Sequence, residues 1–340
     1  MSAGLSPSVF SDRWSAEPRR QSEPAAAVHE GAAADAANEP VDVSRCRISV
    51  VVLTLNEESN LDICMAGVHD WAYQIFVVDA GSTDRTKLIA ELYSAVVVEH
   101  PFETHAKQWQ WALDNLPLQT EWVLALDADQ RVTPELAGEL AALRPKDVEG
   151  VEGFFINRRQ VFRGRWIRHG DYYPKYLLKL FRRSRVRTDA GDLVDHRFYV
   201  TGKVKKLRYD VIESNRKEDD IAFWIEKHSR YAVLLAREEL RWRAGSKDTP
   251  IMPSLGGNPD QQSLARRQLW RHMPLYVRPF LYFAYRYFMR CGFLDGKQGA
   301  IFHFLQAFWF RLLVDIQLDD MIARSQMRSS KDGVCGAEHV

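Results

Sequence analysis

Between Trp122 and Asp129 the chain reads Trp-Val-Leu-Ala-Leu-Asp-Ala-Asp, a short apolar run that stops at two carboxylates. A strand that is apolar throughout suits a sheet covered on both faces. Ligands of open α/β sheets bind just beyond the carboxyl ends of the strands. In extended backbone Asp127 and Asp129 point to the same side. Two carboxylates so placed form a hard oxygen site for Mg²⁺ or Mn²⁺, with positions left for substrate phosphates. The plainer reading is two solvated acids opening a loop, because Asp-x-Asp is a short motif.

The chain upstream decides what kind of sheet this strand belongs to. Arg47 to Leu55 reads as a first strand, and Leu61, Met65 and Val68 give the next segment an apolar helical face. Ile75 to Val78 is a second strand that ends at Asp79. Ala80–Asp84 then turns into a helix that Ser82 or Thr83 would cap, with Asp84 in its first turn. Ala95 to Val98 is a third strand, and Ala106 to Leu116 is a helix closed by Pro117. Repeated strand–helix alternation predicts an α/β fold, with a mostly parallel sheet and helices on both faces. The loops at Thr54–Glu57, Asp79–Asp84 and Asp127–Asp129 should then gather at one edge. The first turn, Thr-Leu-Asn-Glu-Glu, has no glycine. That excludes the Gly-x-Gly-x-x-Gly and P-loop modes and leaves a nucleotide site built from side chains. Asp79 would accept from a ribose hydroxyl or a base N–H, or cap the following helix.

A net charge of +1 argues against a nucleic-acid partner. The four cysteines, Cys46, Cys64, Cys291 and Cys335, are scattered, which fits a reducing compartment rather than a disulfide or zinc framework. Residues 1–44 are rich in Ala, Ser, Pro and Glu and read as a disordered tail without a signal-peptide run. Residues 324–340 read similarly.

Thr54-Leu55-Asn56-Glu57-Glu58, Val78-Asp79-Ala80-Gly81-Ser82-Thr83-Asp84 and Leu126-Asp127-Ala128-Asp129, in this order, resemble family 2 glycosyltransferases of the GT-A fold. Gly164–Gly170, Tyr173-Pro174, Leu180–Arg183, Lys227–Ala232 and Gly292–Lys297 resemble bacterial lipopolysaccharide-core and exopolysaccharide glucosyltransferases within that family. The likeness runs from about Ile48 to Met321. It implies that Thr54, Asn56 and Glu57 border the base and ribose of a donor, and that Asp79 binds the base. It also implies that Asp127 contacts ribose or metal, that Asp129 holds the metal, and that Lys107-Gln108 lies near the donor. Transfer with inversion is implied too, and that requires a base on the acceptor side.

From Arg158 to Arg187 there are eleven cations and one acid, Asp171, with Trp166, Tyr172 and Tyr173 interleaved. The segment is a solvated face or a cradle for a diphosphate and an anionic acceptor. Asp189–Arg197 then brings acids and a histidine. In the layout the resemblance implies, Asp195 is the base, with His196 and Asp192 as rivals. Asp195 paired with an arginine is the plainer alternative. Ile221 to Trp242 reads as an amphipathic helix. Leu275 to Ile316 is dense in aromatics and interrupted by Arg278, Arg286, Arg290 and Arg311, so that no apolar stretch reaches spanning length. This stretch lies in a membrane interface, or it packs on the catalytic domain or a second copy.

The expected organisation is a GT-A domain at 45–215 and a helical, membrane-associating region at 216–323. The expected protein is a metal-dependent inverting glycosyltransferase on the cytoplasmic face of the membrane. It would take a nucleotide-diphosphate sugar and a lipid-linked or polysaccharide acceptor of the cell envelope, and it could form a homo-oligomer. The alternatives are a nucleotidyltransferase and a non-catalytic sugar-nucleotide-binding scaffold.

Overall fold

The computed structural model describes residues 46–189, 191–194, 197–245 and 251–335, with side chains through Met327. The tail expected at 1–44, Asp195 and His196 lie outside the described residues. Strand β1 (Ile48–Thr54) sets the layers. Its alternate residues face opposite sides of the sheet, as the two-residue period requires. Val50 and Val52 pack with Leu61 and Met65 of α1 (Leu61–Ala66) and with Leu136 and Leu140 of a later helix. Val51 faces Trp109, Ala112 and Leu113 of a helix on the opposite side.

The chain continues through β2 (Gln74–Asp79), α2 (Thr86–Leu92), β3 (Val96–Glu99), α3 (His105–Asn115) and β4 (Trp122–Asp127). Strands β3, β2, β1 and β4 are neighbours in that order, all parallel. Thr54 is in register with Asp79, and Leu53 with Asp127, so the three polar loops do meet at one sheet edge. After β5 (Gln130–Val132) and α4 (Pro134–Ala141) come β6 (Gly153–Phe162), β7 (Arg165–Trp166) and β8 (Tyr176–Arg182). The pair β9 (Val186–Thr188) and β10 (Phe198–Val200) forms a separate ribbon, and β11 (Val204–Glu213) closes the domain. Beyond β4 the sheet is mixed. Antiparallel β8 lies between β4 and β6, and β11 and β5 follow.

Helices α5 (Ile221–Arg243), α6 (Pro259–His272), α7 (Val277–Ala284), α8 (Gly296–His303) and α9 (Phe310–Cys335) form the rest. Trp224, Ala232 and Ala236 of α5 pack on Phe310, Val314 and Leu318 of α9. Phe162 and Ile167 from the β6–β7 hairpin enter the same cluster and tie the helices to the sheet.

Several expectations change here. The turn after β2 is not capped by Ser82 or Thr83. Helix α2 begins later, at Thr86, because the Ser82 hydroxyl donates to Asp79 instead. Helix α9 runs through Arg324 to Cys335, where a disordered tail was expected. The helical run Gly292–Met327, bent at Gly296 where φ is 70°, is by length and composition apolar enough to cross a membrane, although 44% of its most apolar window is buried inside the protein. Arg311 does not divide it. Finally, Arg278 and Arg286 do not break the outer surface, because both are turned inward.

Candidate active site at the carboxyl edge of the sheet

The first two loops are zipped together by side chains. Asp79 is fully buried. Its carboxylate accepts from the Thr54 and Ser82 hydroxyls and from the backbone N–H groups of Gly81 and Ser82. Asp79 therefore neither caps a helix nor faces a cleft; it fixes the loop. Asn56 takes a left-handed backbone, at φ 53°, and its Oδ1 accepts from the Thr83 N–H at 2.8 Å. Asp84 accepts from the Thr86 N–H at 3.0 Å and supplies the polar start of α2.

The third loop differs from the extended arrangement expected of it. β4 ends at Asp127, and Ala128–Asp129 turn into β5. The turn still keeps the carboxylates close enough to interact. The Asp129 carboxyl is held well above the usual carboxylate range, first by burial and then by the charges of Glu213 and Asp127; Lys227 opposes this and Glu57 adds to it. Like charges crowded at a strand end attract a cation. Asp127 is partly neutralised by Lys179 of β8, at 2.9 Å.

Residues far along the chain complete the site, some of them beyond the expected domain boundary at 215. Asn215 donates to Asp129 Oδ2 at 3.1 Å, and its Oδ1 accepts from Asn60. Lys217 forms an ion pair with Glu57 at 2.5 Å. Arg158 pairs with Glu213 at 2.9 Å, and Gln130 also donates to Glu213. Lys227 of α5 reaches Glu218 at 2.6 Å. The boundary drawn at 215 thus runs through the site. Glu213, Asn215 and Lys217 carried no motif, and Lys227, though it opens the Lys227–Ala232 segment, gave no sign of its place; their distance in sequence hid them.

Other expected residues are placed elsewhere. Lys107 pairs with Glu103 at the exposed start of α3, and Gln108 is turned inward to His100. Asp192 is buried against Arg267 at 3.3 Å, with Oδ2 unpartnered among the described residues. Burial lifts its pKa to about 6. Of the basic segment, Arg159 pairs with Asp210, and Arg182 with Glu121 and Glu152. Arg158 and Lys179 pair with Glu213 and Asp127 of the acidic edge.

The donor set suits a hard divalent ion. Among the described residues no three His, Cys, Asp or Glu groups converge as a cage. One or two carboxylates, with the rest of the shell from substrate phosphate and water, is how Mg²⁺-type ions are commonly held.

Residues 49–203 match the family model described as Glycosyl transferase family 2. The chain is 25% identical over 280 residues to the lipopolysaccharide core biosynthesis glycosyltransferase LpsC of Rhizobium meliloti, covering 78% of this chain and 92% of that one. It is 33% identical over 94 residues to an uncharacterized glycosyltransferase of Rickettsia bellii, covering 28% and 31% of the two chains. Among solved structures, glucosyl-3-phosphoglycerate synthase of Mycobacterium tuberculosis with Mn²⁺ and UDP matches 35% of this chain and 45% of its own, at 24% identity and a TM-score of 0.27. S. aureus TarS matches 77% and 48%, at 17% identity and a TM-score of 0.41. The chain thus spans less than half the length of either solved chain.

Proposed function

We propose, on the premise of a family 2 glycosyltransferase domain at residues 49–203, that this GT-A enzyme moves a sugar with inversion. The donor is a nucleoside-diphosphate sugar. The acceptor is a hydroxyl of a lipid-linked or polysaccharide glycan of the cell envelope. The observation that carries the reading is the acidic edge itself: Asp129, flanked by Asp127, Glu213 and Glu57, at the end of a central strand. The similarity to LpsC supports the envelope role, and the Mn²⁺ and UDP of the mycobacterial synthase are consistent with the donor.

Asp129 and Asp127 would hold Mg²⁺ or Mn²⁺. That ion supplies charge compensation for the leaving diphosphate. Arg158, Lys217 and Lys227 surround the same edge and add positive potential to it. Asn56 and Glu57 border the base and ribose, on a loop whose shape Asp79 and Thr54 hold. Asp195 takes the acceptor's proton. Asp192 suits this less, because it is buried against Arg267; His196 remains the rival.

The membrane reading rests on a different surface. Phe280, Leu281, Phe288, Met289, Phe293 and Leu294 are each about half exposed or more. An apolar patch of that extent marks a contact surface, and a membrane interface on the cytoplasmic side suits a lipid-linked acceptor.

The test is transfer from a panel of nucleoside-diphosphate sugars to envelope glycan, with Mn²⁺, Mg²⁺ or chelator. Transfer abolished by chelator and restored by one ion is expected. Equal turnover in chelator refutes the metal role, and no turnover or donor hydrolysis with any donor refutes the reading.

A further inference from the structure

Behind the acidic edge lies a zone of opposite sign. Lys175 precedes β8, its backbone carbonyl bound to the Arg158 N–H. Among the described residues its ammonium has no ion-pair partner. The groups that act on it most strongly are all cations: Arg158, Arg286, Arg197 and Arg266. Burial first, and then these cations, bring its pKa down to about 8. Asp129, by contrast, is governed by carboxylates and Lys227. The two zones meet at the Arg158–Glu213 pair.

Arg286 is 93% buried on the π-helical turn Tyr285–Met289. Its guanidinium sits over the rings of Tyr172 and Tyr282, at 4.1 and 4.8 Å. Yet Nε and Nη1 have no partner among the described residues, and neither does Nη1 of Arg197. Buried guanidinium donors left unpaired are costly, and an anion offsets the cost. Three carboxylates act on this group: Asp171 on Arg286, Asp192 on Arg197, and Asp260, at the start of α6, on Arg197 and Lys175. Burial lifts the pKa of Asp260 to about 6 in spite of Arg197 and Lys175, so it offsets only part of the charge.

We infer that Lys175, Arg197, Arg266 and Arg286 form a second anion site, distinct from the donor's metal edge, that takes a phosphate group carried by the acceptor. This rests on the glycosyltransferase reading above and names the acceptor's chemistry. Its placement follows from the proposed function in two ways. The donor diphosphate has its own site at Asp129, so these cations are left for another anion. Arg197 also lies two residues from Asp195, in the segment proposed to meet the acceptor. On the same turn as Arg286, Phe288 and Met289 point outward, 60% and 75% exposed. A phosphate at the head of an apolar chain would meet both faces of that turn.

The test uses full-length protein in chelator, titrated calorimetrically with inorganic phosphate. Binding by wild type and by Asp129→Asn is expected, weakened tenfold or more in Lys175→Met and Arg266→Gln. Both substituted side chains are partly or largely exposed, so these variants should fold; Arg286→Gln is kept as a harsher third. Nucleoside-diphosphate binding with Mn²⁺ should survive in Lys175→Met, which separates this inference from the donor reading. No phosphate binding in wild type, binding unchanged in Lys175→Met, or binding lost in Asp129→Asn each overturns the site. Sedimentation with phosphatidylcholine vesicles, with and without phosphatidate, assigns the source. Phosphate-sensitive capture by phosphatidate supports a lipid-borne phosphate at this site. Calorimetric binding without such capture supports one on a soluble glycan.

Discussion

The sheet edge and the C-terminal helices bury opposite things. In the sheet, valines and leucines are inside and the acids Asp127, Asp129 and Glu213 stand at the rim. In α7 and the turn after it, Arg278 and Arg286 are inside and Phe280, Phe288 and Met289 are outside. Arg278 is fully buried between Glu239 and Asp315, at 2.9 and 2.6 Å. A helix that turns its arginines inward and its phenylalanines outward is amphipathic in the reverse sense to a soluble one. Such an outer face suits the membrane contact proposed above, whereas the acidic sheet edge suits the metal-bound donor proposed there. The membrane contact should accordingly depend on apolar area and little on salt, in contrast to an arginine-led contact.

The largest effect that could break this contrast is at the rim. Asp129→Asn should lower transfer by about 10³-fold or more, the scale of a lost transition-state electrostatic contact. The metal-induced rise in thermal midpoint should disappear with it. The metal-free midpoint should hold or rise, because one of several crowded like charges is gone. Near-normal turnover would remove the reaction from this edge.

Arg278→Met probes the inverted half. It leaves Asp315 buried without its cation, while Glu239 keeps Arg243 at 2.8 Å; the loss is about 3–5 kcal/mol. Urea unfolding measures it. A change below about 1 kcal/mol would mean that solvent already reaches the pair.

The inverted half should also be acid-sensitive. His303 is fully buried, and both ring nitrogens lack partners among the described residues. Burial, then Arg286, lowers its pKa to about 4; Asp295 opposes this and His169 adds to it. The folded value lies below the ordinary 6.5, so the unfolded chain binds the proton more readily. The stability this neutral ring contributes is complete above about pH 6.5 and is lost as pH falls through 4, on the order of 3 kcal/mol. Thermal midpoints between pH 7 and 4.5 measure the slope, and His303→Gln should flatten it.

The smallest effect sharpens the comparison most. Phe288→Ser with Met289→Ser should reduce vesicle binding by about 10–100-fold, from the apolar area lost. Nucleoside-diphosphate binding should stay unchanged. Vesicle binding that persists, or that falls chiefly with added salt, would assign the contact to charge.

Much of the donor half was legible because its elements are local and periodic. β1, β2 and β4 each announce themselves by an apolar run, and each ends in its own polar residues. The geometry of those residues was not legible. Asp79 was expected at a nucleotide base or as a helix cap; its carboxylate accepts four hydrogen bonds, two of them from the Thr54 and Ser82 hydroxyls. Lys107 looked like a donor contact, but its helix turns it toward Glu103. The helical half misled in a consistent way. Arg278 and Arg286 were read as breaks in an apolar run, yet both are turned inward.

By itself the sequence determined the strand–helix order, the gathering of three polar loops at one edge, and the Asp-x-Asp at its centre. All three follow from periodicity and chain connectivity. Only the tertiary structure decided which charges meet. Glu213, Asn215 and Lys217 come some 85 residues after Asp129, and Glu239 and Asp315 flank Arg278 from two other helices. A charge's role depends on its counter-charge and its solvent, and neither is written within a few residues of it.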